Sequence, residues 1–355
     1  MPLVDKKLSA NSIAERGRLS SFLLSPHFTG ILLPAVILAV GAIYHLAAVW
    51  KHQQTEQELR EEIRVLRQEK KTFESRLKSL EDEVQELKKR GLSQHGKSTS
   101  QTAASPALDE MLTFFPSKFP VGNWKPRNLA FEDAAFAAAD GVKLHGWYVK
   151  NSAPRAVVLY CHGNGGNISF DAELLKFLHD RLAVSVLEFD YRGYGKSEGK
   201  PTVEGVLLDA RAARAWLAHR ENVKPEQVVL MGRSLGGAVA VDLAKDGTRG
   251  LILESTFTSL RETAAVHYPA PLVALLVPSR LESLSAIAKY QGPLLISHGN
   301  VDETIPFAHG EKLFAAALGS KTFVTIPGGG HNSPQSAEYY EKLDAFLKSL
   351  PVIKR

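Results

Sequence analysis

Apolar and polar positions change their spacing along the chain, and each change predicts a different kind of element. Residues 31–50, ILLPAVILAVGAIYHLAAVW, contain no Asp, Glu, Lys or Arg. About 20 such residues, at 1.5 Å of helix each, match the hydrocarbon thickness of a bilayer. Trp50, at the end of the run, and Lys51 sit where an interfacial anchor belongs. A membrane-spanning helix is therefore expected over residues 29–50, behind a polar segment, 1–28. A buried core helix would need partners, yet polar and charged sequence lies on both sides. A cleaved signal peptide would need a short leader, and about 28 polar residues is long for one. Lys and Arg flank both ends of the run, so positive charge assigns no orientation.

The spacing then becomes heptad. Leu59, Ile63, Leu66, Lys70, Phe73, Leu77, Leu80, Val84 and Leu87 follow one another in alternating steps of four and three. That is a coiled-coil seam within residues 51–90, with Lys70 as its polar core position. Leucine at most d sites favours a parallel dimer. The flanking pairs Glu62–Arg67, Arg76–Glu81 and Glu83–Lys88 attract across such a dimer, whereas Glu69–Glu74 repels. A single solvated amphipathic helix is the alternative. Residues 91–106, GLSQHGKSTSQTAASP, are small, polar and aperiodic, and read as a flexible linker.

From residue 107 to 355 short apolar runs alternate with helical periodicity. The runs are VKLHGWYV, AVVLYC (156–161), AVSVLEFD (183–190), QVVLM (227–231), GLILE (250–254), PLLIS (293–297) and TFVTI (322–326). Between them AELLKFLHDR, VEGVLLDARAARAWLAHR, GEKLFAAAL and SAEYYEKLDAFLKSL repeat at helix spacing. Continuous apolar strands between helices predict a mainly parallel sheet with helices on both faces. In such sheets ligands bind beyond the carboxyl ends of the strands.

Composition narrows the function classes. Lys and Arg exceed Asp and Glu by 43 to 38. The excess is dispersed: +2 in residues 1–28, +1 in 51–90 and the remaining +2 elsewhere. With no basic stripe interleaved with aromatics, nucleic acid is not an expected partner. One cysteine, Cys161, excludes an internal disulfide and a multi-cysteine zinc site. No His, Asp and Glu cluster falls at metal-ligand spacing, so neither a metal nor a cofactor is expected.

The residues after the strands carry the candidate chemistry. VVLM runs into Gly232-Arg233-Ser234-Leu235-Gly236-Gly237. Glycines flanking a serine on a strand-to-helix turn let the turn tighten until the hydroxyl stands clear of the sheet. The helix that follows aims its unpaired N–H groups at the same place. An ordinary glycine turn is the bland reading of this motif taken alone. AVVLYC runs into His162-Gly163-Asn164-Gly165-Gly166-Asn167. Acyl transfer needs two bare N–H donors for an oxyanion, and those of Asn164 and Leu235 are the candidates. A phosphate-cradling loop would need a following Lys-Ser/Thr pair, which is missing. His162 reads as a structural histidine bonded to this loop. A serine needs a base, and His331 lies in the glycine-rich turn after the last strand. A base needs a carboxylate, and Asp302 follows the preceding strand. Glu254 is the second choice of acid; Glu303 neighbours Asp302 but would point away.

Serine, acid and histidine in that order, each after a strand, resemble the α/β-hydrolase family of serine hydrolases. The matching pieces are FFPSKFPVGNW, DGVKLHGWYV, YCHGNGGN, DYRGYGKSEG, GRSLGGAVA, HGNVDETIP and GGGHN. The chain is similar to the branch of membrane-anchored lipases, lysophospholipases and depalmitoylases. The resemblance implies Ser234 as nucleophile, Asp302 as acid, His331 as base, and Asn164 and Leu235 as oxyanion hole. It covers residues from about 108 to 350 and does not reach the seam or the linker.

The expected function is therefore a membrane-anchored serine hydrolase that cleaves carboxylic esters or thioesters through an acyl-enzyme. The expected partners are an acyl substrate, a lipid bilayer and a second copy of the chain paired through residues 59–90. A peptidase on the same three residues is the rival enzyme, and an inert scaffold dimerised by the seam is the rival outside catalysis. DYRGYGKSEG reads as a rigid turn at the site rim or as a direct substrate contact by Tyr191 or Arg192. Residues 260–285 either cap the serine or form a core-packed connection.

Overall fold

In the computed structural model the described residues are 113–267, 273, 277 and 280–353. The expected membrane span, the heptad seam and the linker lie outside them. Among the described residues no helix is long and apolar enough to cross a membrane.

Eight strands form one sheet: β2 (Glu132–Ala137), β3 (Lys143–Val149), β4 (Ala156–Cys161), β6 (Val184–Asp190), β7 (Val229–Arg233), β8 (Leu251–Glu254), β9 (Leu294–Gly299) and β10 (Lys321–Ile326). Their order across the sheet is β10-β9-β8-β7-β4-β6-β3-β2. Every pairing from β6 through β4 to β10 is parallel, while β2 and β3 run antiparallel at one edge. The strands β4, β6, β7, β8 and β9 are buried at nearly every position, which is why each reads as an unbroken apolar run rather than an alternation. A second pairing, β1 (Phe115–Pro116) with β5 (Gly165–Gly166), lies beyond the carboxyl end of β4.

Among the described residues seven α-helices have defined bounds: α1 (Ala172–Leu182), α2 (Val203–Glu221), α3 (Leu235–Ala244), α4 (Leu260–His267), α5 (Ser283–Ile287), α6 (Ala308–Ala316) and α7 (Ala337–Ser349). They divide the core into two layers. Leu159, Leu230, Leu253 and Ile296 face one side and pack with Val206 and Leu217 of α2, Val239 and Leu243 of α3 and Leu313 of α6. Val158, Val186, Met231, Ile252 and Leu295 face the other and pack with Leu175 and Leu178 of α1 and Leu343 and Phe346 of α7. Alternate residues of one strand thus feed two cores, as the two-residue period of a strand requires.

Register then sets the carboxyl ends side by side. Cys161 is level with Gly232, Gly232 with Leu253, and Leu253 with Ile296. The next residues of β4, β7, β8, β9 and β10 therefore emerge along one edge.

The chain between β8 and β9 contains α4 and α5, so the interruption expected at 260–285 begins and ends in helix, with residues 280–282 outside either one. Leu260 is buried in the α2–α3 core layer, with Val273, Val277 and Leu281. These four side chains pack as a core connection would.

Candidate active site

Ser234 has φ 54° and ψ −120°, outside the wells of both the strand it leaves and the helix it begins. The surrounding glycines make this turn possible. A Cβ on Gly232 would lie 2.2 Å from the Gly236 carbonyl oxygen, and one on Gly236 would lie 1.9 Å from that of Cys161. The main chain of Ser234 is pinned on both sides. Its N–H donates to the Glu254 carbonyl at 2.9 Å, and its carbonyl accepts from Gly237 N–H at 3.0 Å and from Thr256 Oγ1 at 2.7 Å. The side chain is thereby left to point off the sheet edge.

His331 meets it there. Its Nε2 lies 3.1 Å from Ser234 Oγ, and its Nδ1 lies 2.8 Å from Asp302 Oδ2. Asp302 Oδ1 accepts from the N–H groups of Thr304 at 2.9 Å and Ile305 at 2.8 Å. Burial pushes this carboxyl up, but hydrogen bonds from His298, His331 and the Ile305 N–H outweigh it and hold the group well below the usual carboxylate range. An ionised Asp302 can only accept, so Nδ1 of His331 must carry a proton and Nε2 is left to accept from the serine hydroxyl.

The histidine turn is tied to both neighbours. Arg233 Nη2 donates to the His331 carbonyl at 2.6 Å, and Val301 N–H donates to the Gly329 carbonyl at 3.1 Å. A Cβ on Gly299 would lie 2.1 Å from the Gly329 carbonyl oxygen, so this close approach also needs glycine. Glu254, the second choice of acid, is buried and accepts from the Tyr339 hydroxyl, while His331 Nδ1 is taken by Asp302. Glu303 is exposed.

The loop after β4 lies against the serine. A Cβ on Gly163 would meet Ser234 Cβ at 3.8 Å. His162 Nδ1 donates to the Gly163 carbonyl at 2.8 Å, and burial lowers the imidazole from its ordinary value against the pull of Asp190 and Asp171. His162 is thus a neutral structural donor. Carbonyl and N–H point in opposite directions across a trans peptide, so this bond turns the Asn164 N–H away from the His162 side chain. Asn164 Nδ2 donates to the Thr113 carbonyl at 3.1 Å. Leu235 is the first residue of α3, where a helix has no partner of its own for an N–H.

In DYRGYGKSEG the rigid-turn reading prevails. Arg192 donates from Nη1 to Asp140 at 2.6 Å and from Nη2 to Asp209 at 2.8 Å, and its own N–H reaches Asp209 at 2.8 Å. The segment from Phe115 to Trp124 belongs to FFPSKFPVGNW, a piece of the family resemblance to which the sequence assigns no structural role. It lies over this turn and the oxyanion-loop candidate: Ser117 N–H donates to the Gly166 carbonyl and Phe119 N–H to the Gly195 carbonyl, both at 3.0 Å. No period marks such a strap, because it is held by main-chain bonds to distant loops.

Comparison with known proteins places these observations in a family. Residues 152–287 match the family model described as serine aminopeptidase, S33. An uncharacterized protein of Mycobacterium tuberculosis is 42% identical over 243 residues, covering 67% of this chain and 86% of its own. An uncharacterized membrane protein of Saccharomyces cerevisiae is 32% identical over 213 residues, covering 58% and 75%. The esterase Pf2001 of Pyrococcus furiosus has the same fold, with a TM-score of 0.57 at 22% identity over 67% of this chain and 98% of that one. The alpha/beta hydrolase domain-containing protein WAV2 of Arabidopsis thaliana is 36% identical over 225 residues, covering 58% of this chain and 73% of its own. With that sheet, that chain order and relatives at those identities, the chain belongs to the α/β-hydrolase family.

Proposed function

We propose that the protein is a membrane-anchored serine hydrolase that cleaves carboxylic esters or thioesters through an acyl-enzyme. The observation that carries the reading is the hydrogen-bonded line from Ser234 Oγ through the His331 ring to Asp302 Oδ2, at 3.1 and 2.8 Å. His331 takes the hydroxyl proton as Ser234 Oγ attacks the acyl carbonyl carbon. The N–H groups of Asn164 and Leu235 receive the oxyanion. The tetrahedral adduct collapses, His331 returns the proton to the leaving oxygen or sulfur, and water repeats the cycle to free the acid. Asp302 holds the ring in the required tautomer and stabilises its charged form.

Ser234→Ala should lower hydrolysis of short p-nitrophenyl esters by about 10⁵- to 10⁶-fold and abolish labelling by a fluorophosphonate probe. Labelling that survives in this variant sinks the proposal. The matching family model is described as an aminopeptidase, which favours amide cleavage as the second reading. Turnover of aminoacyl p-nitroanilides faster than of esters by the wild type would select it. Membrane anchoring is supported by the uncharged run at 31–50 and by a relative named as a membrane protein.

A further inference from the structure

The oxyanion-loop candidate is rich in glycine, and glycine restrains a peptide plane poorly. A flip of the plane between Gly163 and Asn164 would present a carbonyl oxygen, not an N–H, to the developing negative charge. Something must hold that plane, and two residues of DYRGYGKSEG are placed to do it. We infer that Tyr191 and Tyr194 are positioning residues for oxyanion binding, each clamping one carbonyl beside the peptide that carries the Asn164 N–H. The inference rests on the reading of Ser234 as nucleophile.

Three consecutive carbonyls of the loop are held. Tyr191 donates its hydroxyl to the His162 carbonyl at 3.0 Å. The His162 ring donates to the Gly163 carbonyl at 2.8 Å. Tyr194 donates its hydroxyl to the Asn164 carbonyl at 2.7 Å, where Phe115 N–H also arrives at 3.0 Å. With the carbonyls on both sides tied, the intervening plane has no room to rotate, and its N–H stays on the side away from the imidazole.

The clamps are themselves rigid. Both tyrosines are fully buried. The His162 ring packs at 4.4 Å from Tyr191 and 5.3 Å from Tyr194, and the two tyrosine rings are 5.7 Å apart. Their turn is fixed from outside by Arg192 between Asp140 and Asp209. Burial holds the Tyr191 phenol well above its ordinary range, so it remains a donor at any physiological pH. Buried rings with committed hydroxyls also exclude direct substrate contact by either tyrosine.

The test uses the full-length chain with Tyr191→Phe, Tyr194→Phe and the double variant, which keep the rings and delete only the hydroxyls. A misaimed donor should lower kcat by about tenfold to a hundredfold in each single variant. The double variant should approach the roughly 100- to 1,000-fold loss that follows removal of a whole oxyanion donor. KM should stay unchanged.

The second readout is a trifluoromethyl ketone labelled with ¹³C at the carbonyl. Ser234 Oγ adds to that carbon, its proton passes to His331, and the carbonyl electron pair becomes an oxyanion in the same position as in catalysis. In the wild type the labelled carbon should report an ionised hemiketal down to low pH. In the variants its protonation should move to higher pH, and ketone affinity should fall in step with kcat. This signal is read from the folded fraction alone, so partial unfolding does not imitate it. An unchanged titration of the adduct, or a kcat within twofold of wild type in the double variant, overturns the inference and leaves the Ser234 assignment standing. Absence of any adduct in the wild type overturns that assignment instead.

Discussion

The Asp302 carboxylate is bound more fully than orienting one imidazole would need. Oδ1 takes two main-chain N–H groups, Oδ2 takes His331, and His298 Nε2 stands 3.4 Å from Oδ2 while donating to the Ile305 carbonyl at 2.7 Å. The result is a buried group that stays charged because each of its oxygens is occupied. Asp302→Asn would place an amide where only an acceptor suits, and the His331 ring would settle in the wrong tautomer. We expect kcat on p-nitrophenyl esters to fall by about 10⁴-fold. The same substitution should show in stability. A carboxyl whose folded pKa is depressed stabilises the fold above its ordinary value, 3.8, and that contribution is lost as pH falls through the folded value. The variant should therefore melt lower than wild type at pH 7, with the gap closing as the pH drops below 3.8. A gap that is constant from pH 7 to acid would contradict the ionised, fully bonded carboxylate.

At the scale of elements, the turn between β7 and α3 was legible because its constraint is steric and leaves a trace in residue type. Gly232 and Gly236 stand where a single carbon would overlap a main-chain oxygen at 2.2 and 1.9 Å. Gly232→Ala and Gly236→Ala should each cost at least the ~1–3 kcal/mol of ordinary overpacking. Each should also depress esterase activity further than the lost folded fraction explains, because relief of the clash moves Ser234 itself. Chemical denaturation beside kcat measured on the folded fraction separates the two effects; full activity in either variant would show that the turn tolerates a looser form. The buried strands were legible for a related reason. AVVLYC is β4 residue for residue, and the others differ from expectation by one or two residues at their ends. The strand β2 was missed because EDAAFA buries only Ala134 fully: an edge strand half in water has no apolar run to announce it. The strap from Phe115 to Trp124 was missed because it is held by main-chain bonds to loops far away in sequence, which no local pattern encodes.

For the molecule as a whole, the sequence carries two signals of different kinds. The α/β part is specified by long-range pairing that the described residues display, and its three candidate site residues converge from positions 234, 302 and 331. The seam expected at 59–90 rests on period alone and lies outside the described residues. A role in pairing can be separated from catalysis by experiment. Leu66 and Leu80 are both d positions, the class of site whose leucine most favours two parallel strands. Exchanging both for Asp places like charges face to face at two levels of a dimer, where each would otherwise fill a hole in the partner. A lone solvated helix would lose little by the same change, because its apolar stripe faces water already. In detergent, size-exclusion chromatography with light scattering should give a dimer for wild type and a monomer for the double variant, at equal ester turnover per chain. A wild type that is already monomeric would dismiss the seam. A dissociated variant with lost turnover would instead mean that a second copy supports the site.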